Sequence, residues 1–238
     1  MLSNLKKDLY YLKNSEKSKI YSKYFKTGKG EYGEGDIFIG VTVPNQRIIA
    51  KKYKDFSLSD VSKLLKSKIH EHRLTALFIL VYKFKKSDEK TKKKIYNLYL
   101  KHTKYVNNWD LVDSSAHYIV GAYLFDKDRT VLYGLAKSKN LWEKRISIIS
   151  TYYFISKNDF KDTLKISEFL LHDTHDLIHK AVGWMLREIG KRNMETEEKF
   201  LLKHYKTMPR TMLRYAIEKF PEKKRKYYMA KHEIYLLY

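Results

Sequence analysis

Cysteine is absent from this chain of 238 residues. Disulfide frameworks, thiol nucleophiles and cysteine-based zinc or iron–sulfur sites are thereby excluded together. Proline occurs only three times and glycine nine, with five of the glycines gathered at Gly28, Gly30, Gly33, Gly35 and Gly40. That stretch reads as the one long loop of the chain. Long apolar runs are also missing. The longest clear one, residues 76–82, falls well short of the ~20 residues of a membrane-spanning helix. The first residues, Met-Leu-Ser-Asn-Leu-Lys-Lys, carry neither the apolar segment nor the cleavage site of a signal peptide, so an intracellular protein, cytoplasmic or nucleoid-associated, is expected. Acidic residues are scarce relative to basic ones: 27 Asp and Glu against 49 Lys and Arg leave a formal charge of +22 and a pI near 9.7. Such a surface favours polyanions, and nucleic acid over a membrane. Lysine and tyrosine usage also follows genome composition, so charge alone does not fix the partner.

What remains is a chain that reads as helix almost throughout. Apolar residues recur at helical spacing in segments of roughly 10 to 17 residues separated by short polar breaks, giving about 13 or 14 helices. Asn140-Leu141-Trp142-Glu143 has the form of a capping box, Ser57 and Ser87 precede acidic first turns, and Pro209 occupies an expected first helical position. Superposing the apolar helices aligns Arg73-Leu-Thr-Ala76, Asp113-Ser-Ser-Ala116, Arg145-Ile-Ser-Ile148 and His179-Lys-Ala-Val182, at spacings of 40, 32 and 34 residues. Paired-helix units of that length cannot bury their own apolar faces and gain a core by stacking. The expected architecture is all-α, one helical-repeat superhelix over residues 1–238 with a concave basic groove. In this register Arg73, Asp113, Arg145 and His179 are equivalent, and charged groups on apolar helices line one surface or brace neighbouring units.

The segment Asn107-Asn108-Trp109-Asp110-Leu111-Val112-Asp113 carries the clearest chemistry. An i, i+4 spacing puts Trp109 and Asp113 on one helix face, an aromatic plane beside a carboxylate. That pair suits a cation, while the surrounding basic surface suits a phosphate backbone. Asp110, two positions after Asn108, reads as a helix N-terminal residue. Trp142 reads as core. His172, His175 and His179 have a spacing compatible with a metal on paper, but without an accompanying acidic set they read as capping, packing or phosphate contacts. The glycine-rich loop lacks the phosphate-binding pattern of nucleotide-binding proteins and reads as a turn around Tyr32. The lysine-rich stretches, residues 83–94 and 223–226, read first as solvated helix faces.

Four strings in order now resemble the AlkD-like DNA alkylation repair glycosylases: Phe38-Ile39-Gly40-Val41-Thr42-Val43-Pro44, Asn108-Trp109-Asp110-Leu111-Val112-Asp113, Trp142-Glu143-Lys144-Arg145-Ile146 and Ala181-Val182-Gly183-Trp184-Met185-Leu186-Arg187-Glu188. The resemblance spans about residues 20 to 220. It implies a HEAT-like repeat fold and hydrolysis of the N-glycosidic bond of cationic N3- and N7-alkylpurines in duplex DNA, for base excision repair, by a monomer needing no metal and no organic cofactor. By matching positions it assigns Asp113 as the catalytic carboxylate, Trp109 and Trp184 as tryptophans packing on the lesion's deoxyribose, and Arg145 as a backbone contact. It also implies that the lesion stays stacked rather than being extruded. The competing expectation is a non-catalytic helical-repeat protein that binds structured DNA or RNA and has no need of Asp113.

One carboxylate is chemically sufficient for such a reaction. A purine alkylated at N3 or N7 is already cationic and departs as a neutral base, so no general acid is required. The remaining tasks are to stabilise the oxocarbenium-like sugar and to direct water to its anomeric carbon. A neutral base would not leave so readily.

Overall fold

The computed structural model describes residues 2–230, and helix dominates them. Among the described residues no strand forms; Ile37 and Ile69 make one isolated parallel bridge. The chain divides between Lys127 and Asp128 into two compact units.

The first unit runs through α1 (Leu2–Tyr11), α2 (Ser15–Tyr24), α3 (Val43–Lys52), α4 (Leu58–Leu65), α5 (His70–Lys86), α6 (Glu89–Lys101) and α7 (Trp109–Asp113). A π-helical turn (His117–Gly121) then leads into the short α8 (Ala122–Leu124). The axis of this unit is α5, which is buried at every position from His70 to Val81. A helix apolar on all sides is an interior helix, and α1, α3, α4, α6 and α7 all pack against α5. Its apolar stretch is the run at residues 76–82 noted in the sequence. Its first turn is different: His70, Glu71, His72 and Arg73 are all buried, and buried polar groups of this kind require partners.

Helix starts follow short polar side chains. Asn14 accepts from Lys17 N–H, and Ser57 accepts from Asp60 N–H as expected. Ser87 does not start α6; it closes α5, and Asp88 takes the cap by accepting from Thr91 N–H. A carboxylate there also meets the positive end of the helix dipole, which favours it over the hydroxyl one residue earlier. The glycine-rich loop joins α2 to α3 as expected. Gly40 has φ +82°, and a Cβ there would lie 2.0 Å from the Asn14 carbonyl oxygen. The loop therefore passes hard against the start of α2, where only glycine fits.

The second unit comprises α9 (Thr130–Ala136), α10 (Leu141–Ser150), α11 (Tyr152–Ile155), α12 (Lys161–Phe169), α13 (Asp176–Gly190), α14 (Met194–His204), α15 (Arg210–Ala216) and α16 (Glu222–Met229). Packing is serial. Helix α10 contacts α9, α12 and α13, and α13 contacts α14 and α15, as expected of stacked helical repeats. Trp142 is buried, as its sequence context implied. Asn140 caps α10 by accepting from Trp142 N–H at 2.8 Å. The return arm of the expected capping box is relayed: Asn140 N–H donates to Ser138 Oγ, which donates to Glu143. Pro209 stands one residue before α15 rather than inside it.

Helices α13 and α15 pack tightly at Gly183, where a Cβ would fall 2.4 Å from the Met212 carbonyl oxygen. Alanine normally stabilises a helix interior by about 1 kcal/mol over glycine. Here the sign reverses: Gly183→Ala is expected to destabilise by about 1–3 kcal/mol because α15 must shift. Chemical denaturation of the variant checks this, and a gain in stability would contradict the close packing.

The register of four equivalent charged positions resolves into two behaviours. Arg73 and Arg145 do not line a surface; they are 3% and 5% exposed. Arg73 Nη2 donates to Asp36 at 2.6 Å, and its Nη1 to the Ser67 carbonyl at 3.1 Å. Both arginines act as braces, since a guanidinium offers five donors and can satisfy several carbonyls at a helix end. Asp113 is half-buried and retains access to solvent.

Candidate active site

Trp109 and Asp113 are the first and last residues of α7, one helical turn apart as their spacing required. Leu111 and Val112 are fully buried beneath them. The helix starts at Asn108, whose side chain is buried and accepts from Trp109 N–H at 2.8 Å. Asp110 folds back onto Leu111 N–H at 2.9 Å, the helix-terminal role expected of it.

The Trp109 ring is held by neighbours from the N-terminal segment. Phe25 stacks on it with centroids 5.2 Å apart and planes inclined by 15°, and Tyr24 meets it edge-on at 6.0 Å. Phe25, Phe38 and His70 pack as a triangle of rings, Phe38 lying 5.0 Å from Phe25 and 4.4 Å from His70, and His70 lying 5.2 Å from Phe25. A largely apolar cavity of about 350 Å³ opens beside these rings, with Ile20, Tyr24, Phe25 and Phe38 on its walls and His70 and Asp110 also reaching it.

Asp113 closes α7. The next turn is π-helical, and its first residue, His117, has a pKa depressed to about 4 by burial and by Lys85, with a hydrogen bond to the Asp113 backbone working the other way. His117 is therefore neutral at physiological pH and places no positive charge beside the carboxylate. Such π-turns concentrate at functional sites because the extra residue re-aims the helix. Tyr99 is fully buried below, bonded to Ser115 Oγ at 3.0 Å; burial and the Asp113 charge both push its hydroxyl pKa up. Lys85 sits over the Tyr118 ring, 4.4 Å from its centroid.

In the second unit, Trp184 is half-buried on α13. Its Nε1–H donates to Glu188 Oε1 at 3.2 Å, and its ring lies 6.1 Å from Tyr152 at a 37° tilt. Glu188 also receives Lys191 at 2.6 Å and Arg192 at 3.5 Å, so the tryptophan edge is bordered by cations. Arg145 lies on α10, the helix packed against α13, and its Nη1 donates to the Leu177 carbonyl at 2.5 Å. His175 and His179 are used locally. His175 caps α13 by accepting from Leu177 N–H, His179 bonds the Asp173 carbonyl at 2.5 Å, and His172 is exposed. No group of three potential metal ligands converges among the described residues.

Residues 5–220 match the family described as DNA alkylation repair enzyme. The chain belongs to that family. Two solved structures share the fold of this DNA alkylation repair family member. A predicted DNA alkylation repair enzyme from Enterococcus faecalis aligns at a TM-score of 0.67 and 16% identity, covering 88% of this chain and 97% of its own. AlkD2 from Streptococcus mutans aligns at 0.53 and 19%, covering 93% and 97%. No curated protein matches the chain. The family places the chain in DNA repair, and its helical architecture is that of these two relatives.

Three residues around the site escaped the sequence analysis of this repair protein: Asp36, His70 and Glu71. His70 Nδ1 lies 2.9 Å from Asp36 Oδ2 and its Nε2 lies 2.8 Å from Asp110 Oδ2. Burial acts against a charged ring there, but the Asp110 carboxylate and hydrogen bonds to Asp110 and Asp36 overcome it, against opposition from Arg73, and raise the His70 pKa to about 9. Burial likewise acts against a charged Asp36, and hydrogen bonding to His70 with the charge of Arg73 brings its pKa below the usual carboxylate range. The available signal was the charged quartet His70-Glu71-His72-Arg73 directly preceding an apolar helical run. Such a quartet has to enter the core with the helix and must find partners inside.

Proposed function

We propose that this member of the DNA alkylation repair family is a DNA N-glycosylase that releases cationic N3- and N7-alkylpurines from duplex DNA. Asp113 stabilises the sugar cation and directs the attacking water. Trp109 presents an aromatic plane to the same sugar, and cation–π attraction of this kind contributes about 0.5–2 kcal/mol. Trp184 packs against the DNA as a second aromatic surface. The lysine-rich faces contribute to backbone affinity, which falls steeply with salt, while the buried Arg145 braces α10 against α13 through the Leu177 carbonyl.

The observation that carries this reading is the half-buried Asp113 one helical turn from Trp109, in a DNA alkylation repair family member with a charge of +22. The arrangement supplies electrostatics and water direction but no general acid, so it suits a leaving group that is already cationic. Substrate charge is the test. The protein is expected to release N7-methylguanine and N3-methyladenine from methylated duplex DNA and to leave uracil and other neutral bases in place. Free bases are separated chromatographically after incubation. Equal release of neutral and cationic bases, or release of neither with salt-sensitive DNA binding intact, contradicts the proposal; the second result describes a DNA-binding scaffold.

A further inference from the structure

The two carboxylates facing His70 define what its ring must be. Nδ1 and Nε2 each lie within 3 Å of a carboxylate oxygen, and the side chain is 1% exposed. A neutral imidazole has one N–H and one lone pair. One of its two contacts would then set a lone pair against a buried carboxylate. Only the imidazolium donates to two ionised carboxylates, so with Asp36 and Asp110 both charged the contacts favour the charged ring, although Arg73 Nη2 also lies 3.5 Å from Nδ1.

The same ring connects three separate pieces of chain. Asp36 comes from the glycine-rich loop, His70 from the start of α5, and Asp110 from α7. Arg73, one turn along α5, donates to the other oxygen of Asp36 at 2.6 Å, and Asn108 Nδ2 reaches Asp36 at 3.4 Å. The His70 backbone N–H donates to the Ile37 carbonyl at 2.8 Å. Helix α7 has only five residues, too few to hold its own geometry, since a helix that short is unstable without tertiary contacts. Its direction is therefore set by what grips it. Leu111 and Val112 bury its underside, and the Asp110–His70 contact ties it to the most deeply buried helix of the unit. His70 also contacts Phe25 at 5.2 Å, and Phe25 stacks on Trp109, so the same histidine supports the Trp109 plane.

We propose that His70 is a positioning residue: as an imidazolium bridging Asp36 and Asp110, it clamps α7 onto α5 and so sets where Trp109 and Asp113 point. The consequence for catalysis rests on the glycosylase reading; the clamp itself does not. Loss of the proton breaks one arm of the bridge and frees α7. The charged and titratable groups facing the ring are Asp36 from the loop, Asp110 from α7, and Arg73 with Glu71 on α5. Tyr21, beside the same cavity, has its hydroxyl pKa raised by burial and by Glu71, so it does not account for a transition near pH 9.

The test uses Asp110→Asn, which keeps an acceptor oxygen for Nε2–H and removes the charge that favours the imidazolium. Two readouts are taken on the full chain. The first is emission from Trp109 in a Trp142→Phe, Trp184→Phe background, titrated with pH. A transition near pH 9 is expected, moving down by about one pH unit or more in Asp110→Asn. The second is single-turnover release of N7-methylguanine at saturating enzyme, expressed as variant over wild type at each pH so that titration of the substrate cancels. This ratio is expected to fall about threefold or more between pH 6.5 and pH 8.5. A His70→Ala variant is expected to be slow at every pH. An emission profile without the transition, or one that Asp110→Asn leaves in place, overturns the clamp. A flat rate ratio overturns its role in catalysis. A wild type that excises nothing at any pH removes the glycosylase reading instead, and the emission titration still decides the clamp.

Discussion

Replacing Glu71 with alanine is expected to destabilise the protein by on the order of 3–5 kcal/mol. Glu71 is fully buried in the first turn of α5, and its carboxylate is enclosed by three consecutive backbone donors of the loop. Ile39 N–H reaches Oε1 at 3.0 Å and Oε2 at 3.1 Å, Gly40 N–H reaches Oε1 at 2.8 Å, and Val41 N–H reaches it at 3.2 Å. Successive N–H groups of this kind form an anion-binding concavity, and the charge is further favoured at a helix N-terminus. Each hydrogen bond to a charged group contributes roughly 1.5–3 kcal/mol, and their joint loss leaves buried donors without an acceptor. Glu71→Gln keeps an acceptor and is expected to lose less. Urea denaturation of the two variants provides the measurement, and an Asp36–His70 contact weakened by a freed loop is the functional consequence. A Glu71→Ala protein within about 1 kcal/mol of wild type contradicts this role.

Much of the architecture was legible in the sequence because helices announce themselves locally. The periodicity of the apolar segments, the Ser57 and Asn140 caps and the clustered glycines all depend on neighbours within a few residues, and each corresponds to an element of the structure. The Trp109–Asp113 pair was legible for the same reason, as one helical turn read along one strand of sequence. Ser87 and Pro209 show the limit of local reading: Asp88 takes the cap of α6 in place of Ser87, and α15 begins one residue after Pro209.

The inward face was much less legible. Arg73 and Arg145 carry charges that composition would place outside, yet each is buried by a partner distant in sequence, Asp36 for one and the Leu177 carbonyl for the other. Asp36, His70 and Asp110 lie 34 and 40 residues apart in the chain. No periodicity links them, because their proximity comes from how the loop, α5 and α7 pack. What a sequence does contain is the warning: four polar residues fused to an apolar helix that is bound for the core.

Asp113→Asn is expected to release N7-methylguanine about a thousandfold more slowly than wild type. A carboxylate ~4 Å from a full positive charge, at an effective dielectric of ~20, contributes roughly 4 kcal/mol, and a contribution made only in the transition state converts to about a thousandfold in rate. Asparagine matches the carboxylate in shape, and Leu111 and Val112 bury the underside of α7, so the helix is expected to keep its place. Removing a negative charge near phosphates does not weaken DNA binding, so a slower reaction reports the chemical step. The most direct measurement is single-turnover release of N7-methylguanine from a duplex carrying one lesion, wild type against Asp113→Asn, at matched DNA occupancy. Release by wild type with a thousandfold loss in the variant is the predicted result; release at equal rates by both proteins, or by neither, contradicts an active glycosylase built on Asp113.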